Sequence, residues 1–194
     1  MNIIVLSPPA PVMGEYDTMN WLFEQGIDRY HVRRPGATFE KVKNCLNSVR
    51  KEYRNKASIH SHHELKSTYA PCGIHHTSDS EFDLSFEGTQ SKSFHSIDEI
   101  KNNKHPYSYG FLSPIFPSIS KVGYQVDFDE KALQKINEET PFPLYALGGV
   151  SYETVKKAKE LGFAGVVLFG TIWEEIRVTK IQDNFMRLRE IVKG

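Results

Sequence analysis

The chain has 194 residues, with 24 lysines and arginines balanced by 24 aspartates and glutamates, so its formal net charge is zero. This length suits a single domain over residues 1–194 with a substantial core, and neutrality without a basic block excludes an electrostatic footprint for nucleic acid. No apolar run reaches membrane-span length, the segment Met1–Ser7 lacks the features of a signal peptide, and Cys45 and Cys72 stand alone without metal-ligand spacing, so the expected location is the cytoplasm.

Short apolar runs alternate with helical patterns. Asn2–Leu6 reads as a first buried strand, followed by a loop forced by Pro8, Pro9 and Pro11. Asp17 is an N-cap for a helix with Met19, Leu22 and Phe23 on one face, closed by Gly26. Asp28–Arg33 is strand two, and Thr38 caps a helix in which Phe39, Val42, Cys45, Leu46 and Val49 recur at helical spacing. Ala57–His60 is strand three, His63–Tyr69 a short helix and Cys72–His75 strand four. Ser78–Gly88 has no clear period, so a helix there is reduced or missing. Ser91–Phe94 is strand five, and Ser96-Ile97-Asp98-Glu99 opens a helix as a capping box. Tyr109–Leu112 is strand six, Asp129–Asn137 a helix, and Leu144–Leu147 strand seven, ending in Gly148-Gly149. A helix from Ser151 to Leu161 leads to strand eight, Gly165–Phe169, which is apolar throughout and so buried on both faces. A short helix, Ile172–Ile176, precedes an amphipathic one, Ile181–Val192.

Eight strands alternating with helices imply parallel pairing and right-handed crossovers, and the count predicts an α/β fold: a compact (β/α)8 TIM barrel, shorter than the usual length of about 250 residues. A doubly wound sheet would carry its glycine-rich loop after the first strand, where this chain has prolines.

In such a barrel the site lies at the carboxyl ends of the strands. Strand two delivers His31 and Arg33 on one face, and the fork of a guanidinium suits phosphate. Strand three ends in His60, strand four in His75-His76, and strand five offers Ser93 and His95 on one face. After strand six, Pro114 and Pro117 stop regular structure, and Ser118, Ser120 and Lys121 form a cradle of hydroxyls and one ammonium. Gly148 and Gly149 let a ligand approach backbone N–H groups, and Phe169-Gly170-Thr171 leads into a helix N-terminus, a pairing that fits the common barrel phosphate site. Tyr30, Phe94, Phe111 and Phe116 read as barrel core. His60, His62 and His75 are of the ligand type zinc takes, but they lack the usual metal-binding spacings, so they read as a hydrogen-bonded polar rim and no metal ligand is assigned.

The segments His31-Val32-Arg33-Arg34-Pro35, Ser93-Phe94-His95-Ser96, Ser113-Pro114-Ile115-Phe116-Pro117-Ser118-Ile119-Ser120-Lys121 and Ala146-Leu147-Gly148-Gly149-Val150 resemble the thiamine phosphate synthase/TenI family. The resemblance runs from about Trp21 to Trp173, and the Ser-Pro-Ile-Phe-Pro loop with its lysine is its most specific part. It implies the same barrel. It also implies either of two activities. The synthase joins a hydroxymethylpyrimidine pyrophosphate to a thiazole phosphate, releases pyrophosphate and needs magnesium. TenI-type members isomerise a carboxylated thiazole phosphate to its aromatic tautomer.

By resemblance, Arg33, Ser93, Ser118, Ser120 and Lys121 hold pyrophosphate, His31 stands where a glutamine reads the pyrimidine, and Gly148, Gly149, Phe169, Gly170 and Thr171 hold the thiazole phosphate. His95 matches the tautomerase acid/base, with His60 a second proton group. The chain departs from the synthase at the magnesium ligands: His60-Ser61 replaces Asn-Asp, and Ser80, beside Asp79, replaces an aspartate. Magnesium favours carboxylates; a proton shift needs only imidazole-type groups. The expectation is therefore a thiazole tautomerase, with the synthase as alternative and a non-catalytic thiazole or thiamine phosphate-binding regulator as the reading of another class. The expected partners are thiazole phosphate and, for a synthase, pyrimidine pyrophosphate with magnesium as cofactor; a second copy of the chain, as a homodimer, is a further candidate.

Overall fold

Each strand is only three to five residues long, and each pairs with a neighbour on both edges. Closure supplies that pairing. In the computed structural model, which describes residues 1–69, 72–77, 80–117, 128–175 and 177–193, eight parallel strands follow one another around a closed barrel. They are β1 (Asn2–Leu6), β2 (Arg29–Val32), β3 (Ala57–Ile59), β4 (Gly73–His76), β5 (Gln90–Phe94), β6 (Tyr109–Leu112), β7 (Leu144–Leu147) and β8 (Gly165–Leu168). β8 closes against β1, with Ile3 opposite Val166 and Ile4 opposite Val167.

Among the described residues seven α-helices accompany them: α1 (Glu15–Glu24), α2 (Phe39–Ser48), α3 (Ile97–Lys101), α4 (Glu130–Glu139), α5 (Val155–Glu160), α6 (Gly170–Trp173) and α7 (Val178–Lys193). The main core lies between barrel and helices, where Met19, Leu22, Val42, Leu46, Leu133, Ile136, Phe185 and Leu188 pack on outward strand residues such as Tyr30, Val32, Ile74 and Val166. Tyr30, Phe94, Phe111 and Phe116 are all buried, as expected of core aromatics.

The eight expected strands are all present, with ends moved by a residue or two. The helices differ more. α1 begins at Glu15, after Gly14 at φ +75°, so Asp17 sits within the first turn rather than capping it. Glu15 is drawn in because its carboxylate is needed by a buried arginine, described below. α5 begins at Val155 instead of Ser151: Ser151 N–H donates to Thr154 Oγ1 and its hydroxyl donates to Glu153, which makes a turn of those residues. α6 starts at Gly170, two residues earlier than expected. A 3-10 turn at Lys51–Lys56 joins α2 to β3, and a 3-10 turn at His63–Ser67 stands where a short helix, His63–Tyr69, is expected. Ser96 does cap α3, accepting from Glu99 N–H, but the Glu99 carboxylate returns to the N–H of His95 and not to that of Ser96. Among the described residues no helix is long and apolar enough to cross a membrane.

Candidate functional site

The barrel interior is divided by the identity of inward residues. β6, β7, β8 and β1 contribute Tyr109, Phe111, Tyr145, Val167, Ile4 and Leu6, a small apolar cluster. β2, β4 and β5 contribute His31, His75, Ser91 and Ser93, joined by His60 from the end of β3. Strand order produces this juxtaposition: His31 pairs with Ser58 across β2–β3, and His75 with Ser91 across β4–β5.

These polar groups satisfy one another. His31 Nδ1 lies 3.0 Å from His60 Nε2, and its Nε2 lies 2.7 Å from Tyr109 Oη. His75 reaches Ser91 Oγ at 2.8 Å through Nδ1 and Ser93 Oγ at 2.9 Å through Nε2. The His60 and His75 rings stack with centroids 4.1 Å apart. A buried polar cluster of this kind survives because its members are paired. Burial holds the imidazoles of His31, His60 and His75 well below the ordinary histidine range. Neighbouring cations and partner imidazoles add to this: His75 and Arg29 around His31, His31 and Arg33 around His60, and His60 around His75. All three rings are therefore neutral near pH 7.

Above this cluster opens a cavity of about 410 Å³, lined by Leu6, Arg33, His60, Thr77, Ser93, His95, Ser113, Leu147 and Phe169. Arg33, His60, Ser93 and His95 are thus brought together as expected. His31 is not among them. It has no exposure and lies beneath the cavity, where it is hydrogen-bonded to His60 and paired in register with Leu6, both of the lining. Thr77 and Ser113, which the sequence reading passed over, line the cavity; Ser91 and Tyr109, also passed over, hold the buried imidazoles. The alternation of Ser91 and Ser93 on one face of β5, opposite His75, was the available signal.

His95 Nδ1–H donates to the Ser113 carbonyl at 3.2 Å, because a carbonyl can only accept. In the neutral ring this puts the lone pair on Nε2. Arg33 owes its place to Ser7, whose hydroxyl accepts from Arg33 N–H at 2.9 Å and donates to its carbonyl at 3.1 Å. Its neighbour Arg34 turns the opposite way, into a buried pair with Glu15 at 2.6 and 2.7 Å. Tyr30 Oη also donates to Glu15, at 3.2 Å. His62, at φ +55°, points out of the barrel, its Nε2–H donating to Ala37 O.

A second cavity, about 500 Å³, lies at the ends of β7, β8 and β1, with Pro8, Pro9, Gly148, Gly149, Gly170, Thr171 and Trp173 in its walls. Leu147 and Phe169 line both cavities, which makes them adjoining. Gly148 and Gly149 have φ of +91° and +64°, and a Cβ at Gly149 would meet Phe116 O at 2.5 Å. Their glycine identity therefore answers first to the 114–117 loop packed on them. A Cβ at Gly170 meets nothing within 4 Å. The Thr171 hydroxyl donates to Val150 O and ties the β8 loop to the β7 loop, so it is engaged within the protein. Ser118, Ser120 and Lys121 lie outside the described residues.

Among the described residues the donor set of this cavity does not fit magnesium. Among the described residues no carboxylate lines the Arg33–His95 cavity, and the Ser80 hydroxyl is taken up by the backbone of Thr77; imidazoles and a guanidinium are poor company for a hard cation that wants oxygen. Asp79 lies outside the described residues.

Comparison with known proteins places these features in context. A family model described as thiamine monophosphate synthase matches residues 17–172. The chain is 33% identical over 84 residues to a thiamine-phosphate synthase of Prochlorococcus marinus, a match covering 41% of this chain and 23% of that protein. It is 30% identical over 102 residues to one from Anoxybacillus flavithermus, covering 52% and 46%; the matches thus span less than half the length of either relative. Among solved structures, a thiamine phosphate pyrophosphorylase from Bacteroides thetaiotaomicron superposes with a TM-score of 0.85 at 26% identity, covering 100% of this chain and 98% of that one. One from Pyrococcus furiosus gives 0.80 at 16% identity over 99% and 95%, a likeness of fold.

Proposed function

The chain belongs to the thiamine monophosphate synthase/TenI family, and from that premise we propose that it acts as a thiazole tautomerase, moving a proton within a carboxylated thiazole phosphate. The observation that supports this reading is the cavity wall: His95 with its Nε2 lone pair, Arg33 and Ser93, with no carboxylate in that lining among the described residues. Synthase chemistry must stabilise departing pyrophosphate, which calls for a counter-cation. A proton shift needs one positioned base that takes a proton from one ring atom and returns it at another.

The adjoining cavities suit such a substrate. The phosphate sits at the β7/β8 end, beside the backbone of Gly148, Gly149 and Gly170. The ring lies over Leu147 and Phe169, which line both spaces. The carboxylate faces Arg33, whose planar fork matches it, and His95 Nε2 exchanges the proton. No group is gained or lost, so the product is the aromatic tautomer alone.

Condensation is the second reading, favoured by the names of the relatives above. Two assays on one preparation separate them. Conversion of the carboxylated thiazole phosphate with no added magnesium supports the tautomerase. Magnesium-dependent thiamine phosphate from the pyrimidine pyrophosphate and thiazole phosphate, without tautomer conversion, overturns it. Binding of thiazole phosphate with neither reaction points to the regulator.

A further inference from the structure

We propose that His31, His60 and His75 form a binding site for one first-row divalent transition metal, zinc foremost, with a coordination position open to the Arg33–His95 cavity. One ring nitrogen from each of the three lies within 4.8 Å of the other two. They come from β2, the end of β3 and β4, consecutive strands of the barrel, so the closed sheet itself fixes their relative positions.

Three features of the surroundings favour a metal over a simple rim of hydrogen-bonded rings. The first is geometry. Two nitrogens each about 2.0–2.1 Å from one zinc stand about 3.0–3.4 Å apart at bond angles of about 95–110°, and His31 Nδ1 and His60 Nε2 already stand 3.0 Å apart. The second is the outer partners. A ligating histidine donates its other N–H to an oxygen that fixes the tautomer. His31 Nε2 has Tyr109 Oη at 2.7 Å, so Nδ1 would face the ion in place of its present contact with His60, and His75 Nδ1 has Ser91 Oγ at 2.8 Å, so Nε2 would exchange Ser93 Oγ, now at 2.9 Å, for the ion. Tyr109 is held in turn by Ser58 Oγ at 3.3 Å. The third is access. His31 and His75 have no exposure, but His60 belongs to the cavity lining, so an ion entering there meets His60 first and the other two beneath it.

The ligand chemistry sets the metal. Three imidazoles without a carboxylate select zinc, nickel, cobalt or copper over magnesium or calcium. Three protein ligands leave a fourth position free, and the free side is the cavity wall with Ser93 and Arg33. Arg33 beside a divalent ion favours an anionic oxygen as the fourth ligand. This inference does not rest on the tautomerase reading, since it concerns equilibrium binding.

The test is titration of the full chain, dialysed against a chelator, with Zn²⁺ by calorimetry and with Co²⁺ by visible absorption. The expected result is one ion per chain and ligand-field bands of a low-coordinate, nitrogen-rich cobalt site. His60→Ala, at the cavity wall, should abolish both, and circular dichroism checks that it remains folded. Tyr109→Phe, which keeps all three rings, should weaken binding by roughly 10–100-fold; it keeps the test decisive if His60→Ala fails to fold. His62→Ala should bind as the native chain does. Absence of saturable binding in the native protein, or stoichiometric binding that survives both His60→Ala and Tyr109→Phe, would overturn the assignment.

Discussion

His60 Nε2 and His31 Nδ1 stand 3.0 Å apart, one ring on the cavity wall and the other with no exposure at all. Through this contact a fully buried imidazole is coupled to the cavity wall. Because His31, His60 and His75 are all held below the ordinary histidine range, chiefly by burial, the folded chain refuses protons that the unfolded chain accepts. An unfolded imidazole titrates near about pH 6.5. Below that value the unfolded state binds more protons, so stability is full above it and falls as pH drops. The slope is up to about 1.4 kcal/mol per pH unit for each histidine. Urea unfolding from about pH 7.5 to 5.5 should show this decline; a flat profile would contradict neutral rings in the folded state.

Arg33 and Arg34 predict opposite outcomes. Arg34 and Glu15 pair with side-chain exposures of 1% and 2%. Arg34→Met strands a buried carboxylate and should cost about 3–5 kcal/mol. Arg33 is exposed, so Arg33→Met should change stability by no more than about 0.5 kcal/mol. Denaturant unfolding of the two variants side by side checks the assignment, and equal losses would show that the ion pair does not carry the difference.

Arg33→Met should also weaken the carboxylated thiazole phosphate much more than the thiazole phosphate lacking the carboxylate. Losing one charged hydrogen-bond donor costs about 1.5–3 kcal/mol. Calorimetry with the two ligands reads the difference, and equal losses for both would move Arg33 away from the carboxylate.

Gly149→Ala sets a left-handed residue's new Cβ against two backbone carbonyls, Phe116 O at 2.5 Å and Pro117 O at 2.6 Å. Strain of this kind costs about 1–3 kcal/mol, and the β7 loop that walls both cavities must shift. Gly170→Ala meets open space and should leave stability unchanged or slightly raised. Thermal unfolding distinguishes them; a neutral Gly149→Ala would mean that the 114–117 loop yields freely.

The barrel was legible because its strands announce themselves locally. Runs such as Ile3–Leu6, Leu144–Leu147 and Val166–Leu168 are apolar, and their alternation with helices over most of the chain points to the topology. His95 and Arg33 were legible as strand-end residues for the same reason. The fate of His31 was not. Alternation along β2 placed it on the face of Arg33, but burial depends on where the strand lies along the barrel axis, which pairing with β1 and β3 decides. Nor could Arg34 be told from Arg33, since its partner Glu15 lies on another element. The pair of glycines after β7 marks a close backbone approach in the sequence, but that the 114–117 loop is packed on them is a contact between segments distant in sequence.

The central claim is that His95 moves a proton at a site that needs no magnesium. Its most direct measurement follows tautomer conversion of the carboxylated thiazole phosphate by native protein and by His95→Ala, in a chelator, with substrate affinity measured on both. The account predicts turnover by the native chain in the chelator, and loss of about 10²–10⁴-fold in the variant at nearly unchanged affinity. Full turnover by His95→Ala, or native turnover that appears only with magnesium, would contradict it.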